Sequence, residues 1–416
     1  MEKFDLGDVK ILSVKIIHFD GTTTVDIRQQ IGSISIYEDL QQPTVYAEIL
    51  VNDAVNLVKD FPIIGNETIE ISFKTPTRDD FATYKLKVYT VEGQGTRNSG
   101  QATAYVLKAV SEEHFKNTDF NITSSYKDTI DNMVYDMIKN QLKTDKPLFI
   151  EKTRGLNSIS FARDTPFACI DLLRKRAINF TPFGGVFYFF ENQYGFHFKS
   201  VDKMIEEGKK TIQSKEFYYE PTVSTDKIRS AYQFRNLIRF EHLKKADTAL
   251  DQISGMFSNK VSSFDIFTKS FSETKFNLSE QKRNITTGQQ GKTELPYDAK
   301  FMNNKSNANQ LNLFVPSDTE RGNDYIKDLL GHKHSLLQIL NLNIVRGMIY
   351  GDNIICVGDM IKLNLPDTSS FNEKEKYDSR FSGNYIIQKL RHLIIPEDNR
   401  FKYYIAFDAN KIGITG

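Results

Sequence analysis

Ile64-Gly65-Asn66-Glu67-Thr68-Ile69-Glu70-Ile71-Ser72-Phe73 places a tight glycine turn before a run in which every second residue is apolar. Such alternation reads as a β-strand with one face buried. Far downstream, Val357-Gly358-Asp359-Met360-Ile361-Lys362-Leu363-Asn364-Leu365 repeats the phrasing. Pro76 follows the first run and Pro366 the second, and a charged loop follows each, 77–81 and 367–381. A strand then begins at Tyr84 or Tyr385, and another near Tyr105 or Tyr404. The positions that define this echo are Gly65, Ile69, Ile71 and Phe73 in the first run, and Gly358, Asp359, Ile361 and Leu363 in the second. Glycine turns entering alternating strands are common in antiparallel proteins, so chance similarity is the competing reading. Two copies of one β-barrel is the expectation, and a shared strand order is its test.

Around the first run, alternation recurs at Lys10–Phe19, at Ile34 and Ile36, at Val45–Val51, at Tyr84–Val88 and at Ala102–Val110. Turn residues separate the strands, which predicts a sandwich or barrel over 1–111. The period then changes. Ile130, Met133, Val134, Met137, Ile138 and Leu142 fall at helical spacing, and Ser125 with Asp128 resembles a cap for a helix over Tyr126–Leu142. A second helix is expected from Thr165, with Pro166 in its first turn. An aromatic hairpin follows at Val186–Phe198, then a short helix at Ser200–Glu207. Residues 112–210 therefore read as a small α+β module. The Asn-, Ser- and Lys-rich stretch 246–334 reads as an inserted polar arm, with two strands in Val261–Phe276 and a long loop over Gln281–Asn309. The second barrel is assigned to 211–245 with 335–416. The fold class is thus β-rich α+β: two tube-like antiparallel β-barrels, a small α+β module and an arm.

Composition narrows the function. The 416 residues carry 54 Lys+Arg against 53 Asp+Glu, a net charge of +1, without the basic excess by which nucleic-acid binders displace counterions. No apolar run is long enough to span a membrane, and the charged start Met1–Asp5 lacks a secretory signal's apolar stretch. Cys169 and Cys356, the only cysteines, sit in apolar surroundings and are expected as buried thiols. Gly288-Gln289-Gln290-Gly291-Lys292-Thr293 lacks the first glycine of a phosphate loop, and Gly93-Gln94-Gly95 is no dinucleotide fingerprint. His332 and His334 are read as solvated, and His197 as lying on the outer face of its hairpin. No catalytic, cofactor-binding or metal-binding residue is assigned.

With these residues in hand, Ile17-His18-Phe19-Asp20-Gly21, Val25-Asp26-Ile27-Arg28, Ile34-Ser35-Ile36-Tyr37-Glu38-Asp39-Leu40 and Asn52-Asp53-Ala54 resemble the opening of baseplate central hub proteins of contractile-tailed phages. The torus-shaped hub of T-even phages is the type member, and the hub-like part of contractile secretion spikes is related. Tyr188–Asn192 through Phe196–Ser200, Gly358–Leu363, Ser382–Ile387 with His392, and Phe401–Asp408 extend the likeness. It covers most of the chain except about 245–330. The resemblance implies a non-enzymatic homotrimer in which three chains, with two barrels each, form a pseudo-sixfold ring. It implies as partners the tail tube protein or a tube initiator, the central spike protein and surrounding baseplate wedge proteins. It also implies a place in the virion tail baseplate after assembly in the host cytoplasm. Neither sequence-specific nucleic-acid binding nor membrane insertion is expected, and no cofactor.

Two other classes compete. A tail-associated cell-wall hydrolase would need paired acids in the 112–210 module, among Glu151, Asp164 and Glu191. A glycan-binding tail protein would stack sugars on aromatics such as Tyr188 and Tyr194.

Overall fold

The computed structural model describes residues 5–54, 57, 61, 63–76, 78–97, 102–181, 185–219, 233–244, 247–265, 268–278, 311–317, 325–365, 377–378 and 381–411. The first unit contains β1 (Lys10–Ile17), β2 (Thr24–Asp26), β3 (Ile31–Asp39), β4 (Tyr46–Asp53), β5 (Thr68–Lys74), β6 (Ala82–Arg97) and β7 (Ala102–Val110). Alternation does what the sequence requires: along β4, Ala47, Ile49 and Val51 enter the core while Tyr46, Glu48 and Leu50 face the other way. The strands pair in the order β1-β5-β6-β7-β4-β3, each pair antiparallel, with β2 added to β1.

The second unit consists of β13 (Glu216–Tyr218), β14 (Leu237–Lys244), β18 (Ile344–Tyr350), β19 (Met360–Asn364), β20 (Gly383–Glu397) and β21 (Arg400–Lys411). Its order is β13-β19-β20-β21-β18-β14. Counted along its own unit, each set of six strands therefore runs 1-4-5-6-3-2. The one departure is that β13 and β19 pair in parallel whereas β1 and β5 are antiparallel.

Two pairs of irregularities coincide as well, while those at Ile11/Ser13, Glu92/Gly95 and His242/Lys244 occur in one copy only. The bulge between Val88 and Thr90 in β6 has its counterpart between Ile387 and Lys389 in β20. The bulge between Ile31 and Ser33 in β3 has its counterpart between Leu237 and Arg239 in β14. A bulge is a specific disruption of the ladder. Matched bulges on matched strands argue for one duplicated unit over chance.

The two units join edge to edge. β3 pairs antiparallel with the distal half of β20, from Lys389 opposite Asp39 to Ile394 opposite Ile34, which merges both units into one 13-stranded sheet. Beneath that seam the Glu38 carboxylate, 1% exposed, accepts from Tyr84 Oη at 2.9 Å and from the Val357 N–H at 2.9 Å. His392 lies between Tyr84 Oη (3.1 Å) and Tyr403 Oη (2.6 Å). A buried polar network with its groups satisfied fixes one register and resists sliding. At the periphery Arg78 makes a bidentate pair with Asp352, 2.7 Å for each bond. Arg78→Ala is expected to cost only about 1 kcal/mol, because the pair is partly solvated. Denaturant midpoints at low and high salt check this, and the deficit should shrink in high salt.

Between the units lies the module: α1 (Glu112–Asp119), β8 (Ser125–Thr129), α2 (Ile130–Asp136), β9 (Leu148–Ile150), β10 (Leu156–Ser160), α3 (Pro166–Arg176), β11 (Phe187–Asn192), β12 (Gly195–Ser200) and α4 (Val201–Thr211). It has its own core of Met133, Val134, Met137, Ile170, Leu173, Phe196 and Phe198, among others. One expectation fails here. Ser125 does not cap a helix, because Ser125–Thr129 pairs with Leu156–Ser160 as a strand, and the helix starts at Ile130 behind Thr129. Strand pairing claims the backbone that the capping pattern seemed to assign to a helix.

The arm holds α5 (Thr248–Ile253), β15 (Ser258–Asp265), β16 (Ser270–Asn277), β17 (Leu311–Ser317) and α6 (Tyr325–Leu340). β15 pairs antiparallel with β16 and parallel with β17. The long loop read at Gln281–Asn309 and the partial phosphate-loop pattern at Gly288 lie outside the described residues. α6 returns the chain to the second unit, and its Lys333 Nζ donates to the Lys175 carbonyl (3.2 Å) and the Ala177 carbonyl (2.5 Å). These are end-of-helix carbonyls of α3, and an amine there satisfies acceptors the helix leaves open. Burial nonetheless draws the Lys333 amine down to about 7.

Candidate functional site

The seam between the units is the first candidate, because it shows how one copy of this fold binds another. On the face turned away from the core, Lys389 Nζ meets Asp39 at 3.2 Å and the Arg391 guanidinium donates to Ser35 Oγ at 2.8 Å. The same two edges are open at the far ends of the sheet. β6 is the counterpart of β20, and it pairs with β5 only through Lys87, so its distal half has no partner on that side among the described residues. β14 is the counterpart of β3, and among the described residues it pairs only with β18, on one side. Unpaired strand edges recruit further strands unless they are blocked. Here the open edges have the two shapes that already fit each other inside the chain.

The glycine-turn positions frame each unit. Gly65 and Gly358 adopt φ of +93° and +84°, conformations that suit glycine. Gly358 also lets the module approach, since a Cβ there would lie 2.9 Å from the Phe190 ring. Ile69, Ile71, Phe73, Ile361 and Leu363 are fully buried. Asp359 Oδ2 accepts from the Cys356 N–H at 2.9 Å and pairs with Lys215 at 2.6 Å. Its counterpart is Glu67, a residue no motif singled out. The Val88 N–H donates to the Glu67 carbonyl as the Ile387 N–H does to that of Asp359. The Glu67 carboxylate, wholly buried, accepts from the N–H groups of Ile64, Gly65 and Asn66 at 2.9–3.0 Å. An acid of either length closes the turn in each copy.

The acids considered for hydrolysis do not converge. Glu191 lies under the first unit, where it accepts from the Val45 N–H and Ser111 Oγ and pairs with Lys146 at 2.6 Å. Asp164 contributes its backbone to a bridge with Ile122. Glu151 lines an open cleft of about 700 Å³ together with Asp202, Asn179 and Lys203. Burial raises the Glu151 carboxyl and pushes Asp202 up to about 6, with the neighbouring Glu151 charge adding to it. Yet both Glu151 oxygens accept from Ser200, through its N–H at 2.6 Å and its hydroxyl at 3.0 Å, and Ser200 caps α4. Asp202 accepts from Asn179 at 3.0 Å in the same first turn. The cleft's carboxylates thus organise the start of a helix. Asp202 escaped the sequence reading because nothing in its neighbours announces burial.

Other expectations need correcting. His197 is not on an outer face: it is 6% exposed and stacks between Phe149 and Phe190 at 4.7 and 4.9 Å, and burial draws it down to about 3. His332 is 4% exposed, and His334 is half-buried against the Ser254 carbonyl at 2.6 Å, so neither histidine is freely solvated. Both lie on α6, whose burial comes from packing on the arm's strands. Cys169 and Cys356 are buried free thiols. Tyr188 is buried while Tyr194 is half exposed, and they form no common platform. Among the described residues, no group of three His, Cys, Asp or Glu stands close enough to hold a metal ion. No described helix is long and apolar enough to cross a membrane.

A second surface feature is a groove of about 780 Å³ between the first unit and the module, lined by Tyr37, Tyr46 and Tyr89 of the one and by His114, Phe115 and Phe167 of the other. Tyr46 stands 5.4 Å from Tyr37 and 6.2 Å from Tyr89, centroid to centroid.

No protein family model and no curated protein matches the sequence. Solved structures do match in shape. A tail protein from Neisseria meningitidis MC58 aligns with a TM-score of 0.56 over 97% of both chains at 10% identity. A 43 kDa tail protein of prophage MuSo2 from Shewanella oneidensis aligns with a TM-score of 0.57, covering 96% of this chain and 98% of that one, at 9% identity. The chain has a phage tail-protein fold. Coverage is nearly complete in both directions, so the likeness extends over the chain as a whole.

Proposed function

We propose that this chain is the structural hub subunit of a contractile phage tail baseplate, a homotrimer whose ring joins the tail tube to the central spike. The observation that carries this reading is the duplicated unit, joined internally by β3 and β20 and open at both ends through the equivalent β14 and β6 edges. Repeating the internal seam between chains makes a heterologous contact that closes into a ring when the rotation permits. Three chains supply six units, the number that matches a sixfold tube above while keeping a threefold face for a spike below. Tube, spike and wedge proteins are the partners in this reading. The site is the virion baseplate, assembled in the host cytoplasm.

The units divide at 1–111 for the first barrel, 112–210 for the module, 211–245 with 335–416 for the second barrel and 246–334 for the arm. The face of the sheet opposite the core lines the lumen in this arrangement. Its charges reverse between copies: Glu48 beside Lys108 in the first unit, Arg346 paired with Asp408 at 2.7 Å in the second.

The internal seam also sets a register for the external one. Arg391 opposite Tyr37 translates, through the matched bulges and a further one between His242 and Lys244 that β3 lacks, into Glu92 opposite Lys244 of the next chain. Oxidation of a Glu92→Cys/Lys244→Cys variant is expected to link chains covalently on a non-reducing gel. Gly93→Cys/His242→Cys samples the next rung of the same register. Light scattering on the wild-type protein should give about 143 kDa, three times the 47.8 kDa chain, with rings in negative stain. A monomer that neither pair links would overturn the reading.

A further inference from the structure

The structure leaves two apolar features without partners among the described residues, one at the junction of the first unit with the module and one on the arm. One is the aromatic groove between the first unit and the module, where Tyr89 remains 41% exposed. The other is α5 in the arm, whose Leu250 and Ile253 are 53% and 71% exposed. Three residues apart on a helix, these two side chains share one side, and the opposite side is anchored by Asp251, 1% exposed. Exposed apolar clusters of this kind mark contact surfaces.

We propose that α5 of one chain seats Leu250 and Ile253 in the aromatic groove between the first unit and the module of the next chain. The proposal rests on the ring reading and adds to it a second, side-chain contact. The internal seam supplies the geometry. There the chain leaving β3 runs past the bulge residue of β20, and the Leu40 N–H donates to the Gln388 carbonyl at 2.9 Å, with Leu40 only 3% exposed.

At the external seam the bulge residue equivalent to Gln388 is Tyr89, which lines the groove. The strand equivalent to β3 is β14, and the chain leaving it reaches the α5 cap, Asp247, three residues beyond Lys244. Where the internal turn places one buried leucine, the external seam therefore delivers a helix with two exposed aliphatic residues. The rest of the groove fits an aliphatic guest: Tyr37, Tyr46, Phe115 and Phe167 form its walls, and Asp39 and Gln42 give it a polar rim. The occupant that this placement favours is a second copy of the same chain.

The test uses the full-length protein with Ile253→Cys and His114→Cys together. Both native cysteines are buried, so they do not compete for oxidation. An inter-chain disulfide is expected, alongside the strand-edge link of Glu92→Cys/Lys244→Cys made in parallel. A strand-edge link without the groove link overturns the docking and leaves the ring standing. Absence of both overturns the ring and the docking with it. The variant Leu250→Asp/Ile253→Asp adds an independent readout. Because both side chains are exposed within one chain, its unfolding midpoint should stay at the wild-type value. The concentration at which the trimer dissociates should rise by about a hundredfold. An unchanged dissociation concentration would count against the docking.

Discussion

Replacing Lys146 by Met is expected to destabilise the chain by about 3–5 kcal/mol at neutral pH, the cost of removing one partner from a buried ion cluster. Its amine lies 2.6 Å from Glu113 and 2.6 Å from Glu191, carboxylates that are 3% and 5% exposed. Glu113 is further held by Thr144 Oγ1 at 2.5 Å, and Glu191 by the Val45 N–H at 3.0 Å. The cluster ties the module to the first unit, so its loss weakens the junction on which both depend.

The pH dependence is the distinctive part. In the wild type, burial works to raise the Glu113 carboxyl, but Lys146 holds it below its usual range; Glu191, more deeply enclosed, is pushed up by burial despite Lys146. Without the amine both carboxyls are raised. A carboxyl raised on folding adds stability below its unfolded value, near 4.3, and that stability is lost as pH rises through the folded value. The deficit of Lys146→Met should therefore shrink as pH falls from 7 toward 5. Glu191→Gln in the same background should recover part of it at pH 7. Denaturant unfolding across that range checks both, and a deficit independent of pH would sink the explanation.

The β-architecture was legible because its signal is local. Ile69 and Ile71, like Ile361 and Leu363, alternate with polar residues after a turn that only glycine adopts easily, and no distant contact is needed to read them. The pairing of β3 with β20 was not legible, since strand order is decided by partners hundreds of positions apart. The likeness of the two copies was muted for a related reason. A ladder needs opposite charges across it and does not specify which strand carries which, so Glu48 and Lys108 stand where Arg346 and Asp408 stand. The buried histidines were misread because the hairpin that holds His197 and Phe190 is covered by Phe149 of another strand, and His332 is covered by the arm strands, contacts that neither residue's sequence neighbours announce. The α5 contact escaped because helical periodicity over six residues is too short to distinguish from a polar loop.

The same duplication makes an expected result that contact lists alone do not suggest. In the first unit Ile49 lies opposite Leu107; at the equivalent place in the second, Gly347 lies opposite Phe407. Volume has moved across the strand pair. A Cβ on Gly347 would sit 2.3 Å from the Phe407 ring, so Gly347→Ile alone should overpack the core and cost about 3 kcal/mol. Phe407→Leu alone leaves a void and should cost about 1–3 kcal/mol. Together they install the pair that the first unit already carries, and isoleucine suits a strand better than glycine does. The double variant is therefore expected within about 1 kcal/mol of the wild type, with a coupling of about 3 kcal/mol or more in the double-mutant cycle. Four denaturant midpoints at unchanged slope measure it. Simple addition of the two single losses would mean that the copies do not share core geometry at this position, and the register on which the ring contacts are argued would lose its support.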